Sequence, residues 1–272
     1  MRLQPLRPEL GAHHVVYPTR RAIARDNRRF RTLKIVEASD SSLLVALGDA
    51  ISEKVQGRVI SLFRALSELR DARIRNLHPA YASLLIDFDP RESSHKELAA
   101  LVEKSAHKLG PEAERKPKIV EIPVCYDATF APDLLDIAKH TKKSPEEVIA
   151  LHSSATYHVC FLGFSPGFAY LSGLPEALQV PRLDTPRKSV KAGTVAIAGS
   201  QAAVYPVDSP GGWRLIGRTP VQMFNPAAIP PSRLTPGDVV KFAPIDRGQF
   251  DTMSGTISET MSNKTSGAMS PR

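Results

Sequence analysis

The chain has 272 residues, 42% hydrophobic and 24% charged, an ordinary globular balance that suits one large domain or two modest ones. No apolar run approaches the roughly 20 residues of a membrane helix, and Cys125 and Cys160 are too few for a disulfide framework or a cysteine metal site. The net charge of +8 is concentrated at the start, where Arg2, Arg7, Arg20, Arg21, Arg25, Arg28, Arg29, Arg31 and Lys34 stand against only Glu9 and Asp26. The rest is almost neutral and has no basic-aromatic groove, so neither nucleic acid nor a membrane is an expected partner. Residues 1–31 lack the apolar core of a secretory signal and read as a basic, disordered tail. A reducing, cytoplasmic setting fits the cysteine usage.

From 32 to 112 the pattern is that of a small α/β domain. "TLKIVEA" and "SSLLVALG" read as adjacent strands, followed by a helix with Val55, Val59, Phe63, Leu66 and Leu69 along one stripe. "DARIRNL" and "YASLLIDFDP" read as two more strands. Ser94 and Glu97 form a capping box for a second helix, with Leu98, Leu101, Val102 and Ala106 inward. Two strand pairs, each followed by a helix, predict a sheet with helices on one face.

"LGPEAERKPK" is a polar linker, and a second domain is expected over 113–246. It opens with the strand "IVEIPVCY" and two short helices, the first over about 133–140. The second is signed by Ser144 as N-cap, Pro145 at its first position, and Glu146 and Glu147 in its first turn. From 156 to 245 short β-like runs alternate with turns that hold twelve of the 23 prolines and nine of the 16 glycines. That spacing predicts a compact barrel or sandwich. Residues 247–272 are poor in apolar side chains and read as a disordered tail.

Within the second domain, residues 161–175, "FLGFSPGFAYLSGLP", put unusual aromatic surface into a glycine- and proline-rich loop. Gly163-Phe164-Ser165-Pro166-Gly167 has the spacing of a hydrolase nucleophile elbow. That motif needs a backbone N–H on the residue after the serine and a helix beyond it. Pro166 has no N–H, and "GFAYLSGLP" is a poor helix, so Ser165 is not expected to be a nucleophile. Pro166-Gly167 suits the central pair of a type II turn. Cys160, in "VCFLGF", reads as a small buried hydrophobe.

The blocks GF-x-PGF-x-YL, PR-x-x-TPR and SPGGW-x-x-IGRTP occur in that order. On them the chain resembles the family of the 5-oxoprolinase B subunit, which also contains the kinase A inhibitor KipI and allophanate hydrolase subunit 1. The likeness covers roughly 32–245. It implies an α+β protein with an N-terminal α/β domain and a C-terminal cyclophilin-like β-barrel. It also implies a non-autonomous subunit of an ATP-hydrolysing 5-oxoprolinase that opens 5-oxo-L-proline to L-glutamate, with a C-like subunit and a separate A subunit as partners. ATP would act with those partners, since the chain has no phosphate-loop or dinucleotide motif. No metal or biotin is expected on this chain. Because the same blocks serve all three members, a KipI-like inhibitor of a sensor histidine kinase and an allophanate- or urea-processing subunit are the alternatives.

The resemblance places the 161–175 loop at a shared pocket, with Phe164, Pro166, Gly167, Phe168 and Tyr170 against substrate. His152, nine residues before that loop, is the expected proton carrier, because imidazole titrates near neutrality. His158, in an alternating run, reads as a strand histidine. Arg182, Arg187, Lys188 and Arg218 lie at proline turns, and a guanidinium can grip a carboxylate or phosphate in two-pronged fashion. Of these, Arg187 and Arg218 are expected to be catalytic and Arg182 to bind substrate. Gly211 and Gly212 allow close backbone approach beside Trp213, while Gln201 and Tyr205 complete the expected site. In "GSQAAVYP", Ala202-Ala203 replace a Thr-Gly pair frequent in the family, so a hydroxyl contact there is not expected.

Overall fold

The structure, a computed structural model, describes residues 33–109 and 117–255. The basic tail expected over 1–31, most of the linker and the chain from 256 lie outside the described residues.

The first part is β1 (Lys34–Ser39), β2 (Ser42–Ala46), α1 (Glu53–Leu69), β3 (Ile74–Pro79), β4 (Ser83–Phe88) and α2 (His95–Lys108). Its antiparallel sheet has the order β1-β2-β4-β3. Leu43 and Val45 of β2, and Leu84, Ile86 and Phe88 of β4, alternate inward with the period of two that a half-buried strand requires. They share one core with Val59, Leu62 and Leu66 of α1 and with Leu98, Val102 and Ala106 of α2. The helices therefore cover one face of the sheet, as the sequence implies. Both starts are capped: Ser52 Oγ accepts from the Val55 N–H at 3.2 Å, and Ser94 with Glu97 makes the expected reciprocal box.

The second part comprises β5 (Ile119–Cys125), α3 (Leu134–Thr141), α4 (Pro145–Ser154), β6 (Tyr157–Leu162) and β7 (Ala169–Ser172). A short 3₁₀ turn (Glu176–Leu178) precedes β8 (Arg187–Val190), β9 (Thr194–Ala198), β10 (Gln201–Val204), β11 (Ser209–Gly211), β12 (Arg214–Arg218) and β13 (Val239–Ile245). Seven strands close into a barrel in the order β10-β7-β6-β13-β5-β12-β9, and β8 and β11 form a separate ribbon. Closure removes the exposed edges that so many short strands would otherwise present. The barrel interior takes alternate side chains, among them Val120, Ile122, Tyr157, Leu171, Ile197, Val204 and Phe242. The opposite parity of β7, β9 and β10 turns Tyr170, Ala196, Ala198 and Ala203 outward, into a second cluster with Phe168, Tyr205, Trp213 and Val190 of the ribbon. The protein is α+β, a small helix-covered sheet followed by a closed barrel.

The two parts touch through polar side chains that meet backbone. Gln56 Nε2 donates to the Cys160 carbonyl at 3.1 Å, and Arg64 Nη2 donates to the Gly237 carbonyl at 3.0 Å. Beyond the barrel, the structure corrects one sequence expectation. Residues 247–255, read as part of a tail without structure, form a helix (α5). Its Phe250 is buried, with its ring 4.4 Å from that of Phe130.

Candidate functional site

The 161–175 loop begins with strain. Phe164 has φ +67°, and the Ser165 N–H donates to the Gly163 carbonyl at 2.8 Å, closing a three-residue turn. A bulky residue at positive φ is a real outlier, and this member of the γ-turn family is the strained one. Next comes the expected type II turn. The Phe168 N–H donates to the Ser165 carbonyl at 3.0 Å around Pro166 and Gly167, and Gly167 has φ +80°. The consequence is a split loop. Phe168 is buried, whereas Phe164 is left 64% exposed with its ring 5.4 Å from that of Phe168.

Phe168 lies within a continuous row of rings on the outer face of the barrel. Tyr81, at the tip of the β3–β4 hairpin, meets Phe161 edge-on at 4.9 Å, and Phe161 stacks on Tyr170 at 4.5 Å. Tyr170 then meets Phe168 at 5.1 Å, and Phe168 meets Tyr205 at 5.3 Å and Trp213 at 5.8 Å. Edge-to-face and offset pairs of this kind add stabilisation beyond the area they bury. Ala196, Ala198 and Ala203 pack beneath the row. Gln201 Nε2 donates to the Tyr81 hydroxyl and so ties the hairpin to the barrel. Gly211 lets the ribbon pass over the Tyr205 hydroxyl, which a Cβ there would meet at 2.2 Å. Burial raises the Tyr205 phenol above its usual range, partly offset by a backbone hydrogen bond with Trp213 and by the nearby Arg182 and Arg187.

Cations mark one edge of this face. The exposed Arg182 guanidinium lies 5.7 Å from the Trp213 ring centroid. Arg187 Nη2 donates to Asp133 Oδ1 at 2.6 Å, and Nη1 reaches the Trp213 carbonyl at 3.5 Å. Lys188 is exposed beside it. Phe164, Phe168, Tyr170, Arg182, Arg187, Gln201, Tyr205, Gly211, Gly212 and Trp213 thus gather in one region on the outer side of the barrel, with Phe168, Tyr205 and Trp213 buried within it and Phe164 and Arg182 exposed at its edge.

Two expected members of the site are elsewhere. His152 is fully buried inside the barrel, its ring stacked 4.7 Å from Phe242. It shares a 2.8 Å hydrogen bond with Tyr126 through Nδ1, and Nε2 has no hydrogen-bond partner among the described residues. Burial pushes its pKa from 6.5 down to about 3, outweighing the attraction for a cation at a helix C-terminus. It is a core histidine, closed off from solvent and separate from the outer aromatic cluster. Arg218 points away from the aromatic row. Its Nε donates to the Ala192 carbonyl at 3.0 Å, and its guanidinium lies over Phe130 at 5.6 Å. Nor is Ser165 activated, since its buried Oγ has no hydrogen-bond partner among the described residues. Cys160 is buried, and burial raises its thiol pKa, as suits a structural cysteine.

Sequence reasoning missed three participants. Tyr81 is one, signalled only by an aromatic at a hairpin tip in "HPAYAS", and Phe161 is another. Asp133 is the third: this buried residue before α3 holds both Arg187 and, at 2.7 Å, the Leu215 N–H.

Residues 33–234 match the family described as carboxyltransferase domain, subdomain C and D. The chain belongs to that family. It is similar to the 5-oxoprolinase B subunit of Bacillus subtilis, 38% identical over 80% of this chain and 95% of that one. The corresponding B subunit of Haemophilus influenzae is 36% identical over 77% of this chain and 97% of its own. Among solved structures, TTHA0988 superposes with a TM-score of 0.67 at 36% identity, covering 75% of this chain, which spans 40% of that one. The urea carboxylase of Kluyveromyces lactis, at 20% identity and a TM-score of 0.62, shares the fold; 81% of this chain covers 22% of it. These findings uphold the resemblance drawn from the three motif blocks. Among the described residues, no helix is long and apolar enough to cross a membrane.

The position of His152 sets a pH dependence that can be measured. Its folded pKa is depressed, so its contribution is intact above about 6.5 and is lost as pH falls, when the unfolded chain takes a proton that the folded one refuses. Below pH 6 the expected loss is up to about 1.4 kcal/mol per pH unit. Urea unfolding at pH 7, 5 and 4 should show a shallower decline for His152→Phe than for the unaltered chain, although the variant starts less stable. Equal declines would show that His152 does not titrate on unfolding as described.

Proposed function

We propose that this chain is the B subunit of a 5-oxoprolinase, acting in the ATP-driven opening of 5-oxo-L-proline to L-glutamate with a C-like subunit and an A subunit. The observation that carries this reading is the near full-length likeness to proteins named as the B subunit of 5-oxoprolinase, coinciding with the chain's ordered motif blocks. The geometry supports a shared role. At the edge of the aromatic cluster the exposed Phe164 ring can meet a planar amide and the exposed Arg182 can meet negative charge. Among the described residues that cluster holds no nucleophile–base pair: His152 is in the core, and Ser165 Oγ has no hydrogen-bond partner. An unstrained lactam is a poor electrophile, and phosphoryl activation of its oxygen is the chemistry that ATP would supply. Phe164, exposed on a strained turn among the described residues, supports a partner contact at this loop.

The test is 5-oxoproline-dependent ATP hydrolysis measured for each of the three chains singly, in pairs and together. Turnover is expected only with all three combined. Turnover by this chain alone would overturn its role as a dependent subunit, and none in any combination would overturn the oxoprolinase reading.

A further inference from the structure

A concave site lies apart from the aromatic cluster and shares no residue with it. Where β12 ends and α5 begins, Phe130, Arg218, Pro220, Met223, Arg247 and Phe250 line part of an open cavity of about 530 Å³. That volume is within the range of small-molecule sites. Both guanidinium groups lie over the Phe130 ring, Arg218 at 5.6 Å and Arg247 at 4.6 Å from its centroid.

Their charges are not equivalent. Arg247 is neutralised by Asp251, to which its Nε donates at 2.9 and 3.1 Å, and its Nη1 is used by Thr129 at 3.1 Å. Arg218 donates only its Nε, to the Ala192 carbonyl at 3.0 Å, and its terminal amino groups have no hydrogen-bond partner among the described residues. The nearby Asp208 is occupied by Lys191 at 2.7 Å and by the Ala192 N–H at 2.8 Å. The cavity therefore presents a guanidinium whose terminal fork is free and which lies over a ring; Asp208 is near enough to feel its charge but makes its hydrogen bonds to Lys191 and Ala192. A triphosphate or other polyanion needs several cations, and this site supplies one. A carboxylate needs two parallel donors, and Arg218 has them. Pro220, Met223 and Phe250 give an apolar wall for the body of the molecule.

We propose that this cavity binds a small monocarboxylate with a compact apolar body, gripped by Arg218. The choice of 5-oxoproline as first probe rests on the proposed function, whereas the pocket's affinity for a carboxylate does not. The experiment is a titration of the full chain by heteronuclear NMR with 5-oxo-L-proline, its uncharged carboxamide and inorganic phosphate. The carboxylate should shift signals of Phe130, Val221 and Phe250, with the carboxamide at least tenfold weaker. Arg218→Ala should weaken carboxylate binding at least tenfold. Should that variant lose its fold, Gln222→Trp, which places bulk from an exposed rim position, should block the site instead. Equal binding of the carboxamide, shifts confined to residues 161–175 and Trp213, or phosphate displacing the carboxylate at equal concentration would each overturn the proposal. The two readings fail separately. Carboxylate binding at this cavity with no turnover in any combination of chains removes the oxoprolinase reading alone. Turnover by the complete assembly without carboxylate shifts at the cavity removes the pocket alone.

Discussion

Gly173→Ala is expected to destabilise the protein by roughly 3 kcal/mol or more, as a displaced urea midpoint with unchanged slope. Gly173 sits just past β7 with φ +97°, where an L side chain is strained in any surroundings. The surroundings make it worse. A Cβ there would lie 2.2 Å from the Thr156 carbonyl oxygen and 3.3 Å from the Tyr157 Cα, both backbone atoms that cannot swing aside as a side chain would. Tyr157 begins β6, the strand paired with β7, so relief would require parting two staves of the barrel beside the buried Leu171 and Leu174. Gly199→Ala is the control. Its φ is +54°, and nothing lies within 4 Å of its added Cβ, so it should cost only about 1 kcal/mol of backbone strain. If the two variants lost equal stability, the contact with Thr156 would not be what demands glycine at 173.

Gly173 also shows what kind of information a sequence exposes. Local signals were legible because each is a contact between near neighbours. Ser94 with Glu97 and Ser144 with Glu147 form their boxes, and Pro166-Gly167 makes its turn. Alternation in β4 and the helical stripes likewise revealed which faces are buried, because one period governs a whole element. The site was half legible. Phe168, Tyr170, Tyr205 and Trp213 converge as expected, since odd and even positions of adjacent strands must share a face. Arg218 fails to join them because it stands four residues along from Arg214, at the other end of β12, and motif adjacency does not reveal which end of a strand faces which site. His152 misled for a related reason: the last turn of α4 could face solvent or the barrel lumen, and only packing against Tyr157 and Phe242 decides. The helix over 247–255 was invisible because Phe250 alone anchors it deeply, and one buried residue makes no period.

Asp133→Ala is expected to cost about 3 kcal/mol, and Arg187→Ala about 1 to 2 kcal/mol, because the buried Asp133 serves a buried backbone donor as well as Arg187, which is itself part-exposed. Asp133 Oδ1 accepts from Arg187 at 2.6 Å, and Oδ2 accepts from the Leu215 N–H at 2.7 Å. The aspartate side chain is 9% exposed and the arginine 30%, so solvent can take over more of what Arg187 loses. Removing the carboxylate strands a buried backbone donor on β12. Removing the guanidinium leaves the carboxylate still bonded to that donor. The double variant should be less damaged than the sum of the singles, with a coupling of about 1 to 2 kcal/mol. From sequence Arg187 is expected to be catalytic, and the structure adds a structural part. Arg187 ties β8 to the start of α3 through Asp133 and reaches the Trp213 carbonyl at 3.5 Å, beside the aromatic cluster. Arg187→Lys should recover part of the stability, since an ammonium can meet Asp133 but cannot also span to Trp213. Under the proposed function, the activity of the combined chains per folded molecule then separates the roles. A positioning residue raises KM with kcat largely kept, and lysine restores it in proportion to stability. A loss of kcat in Arg187→Ala at full folding, unrelieved by lysine, would return Arg187 to the chemistry and remove its purely structural role.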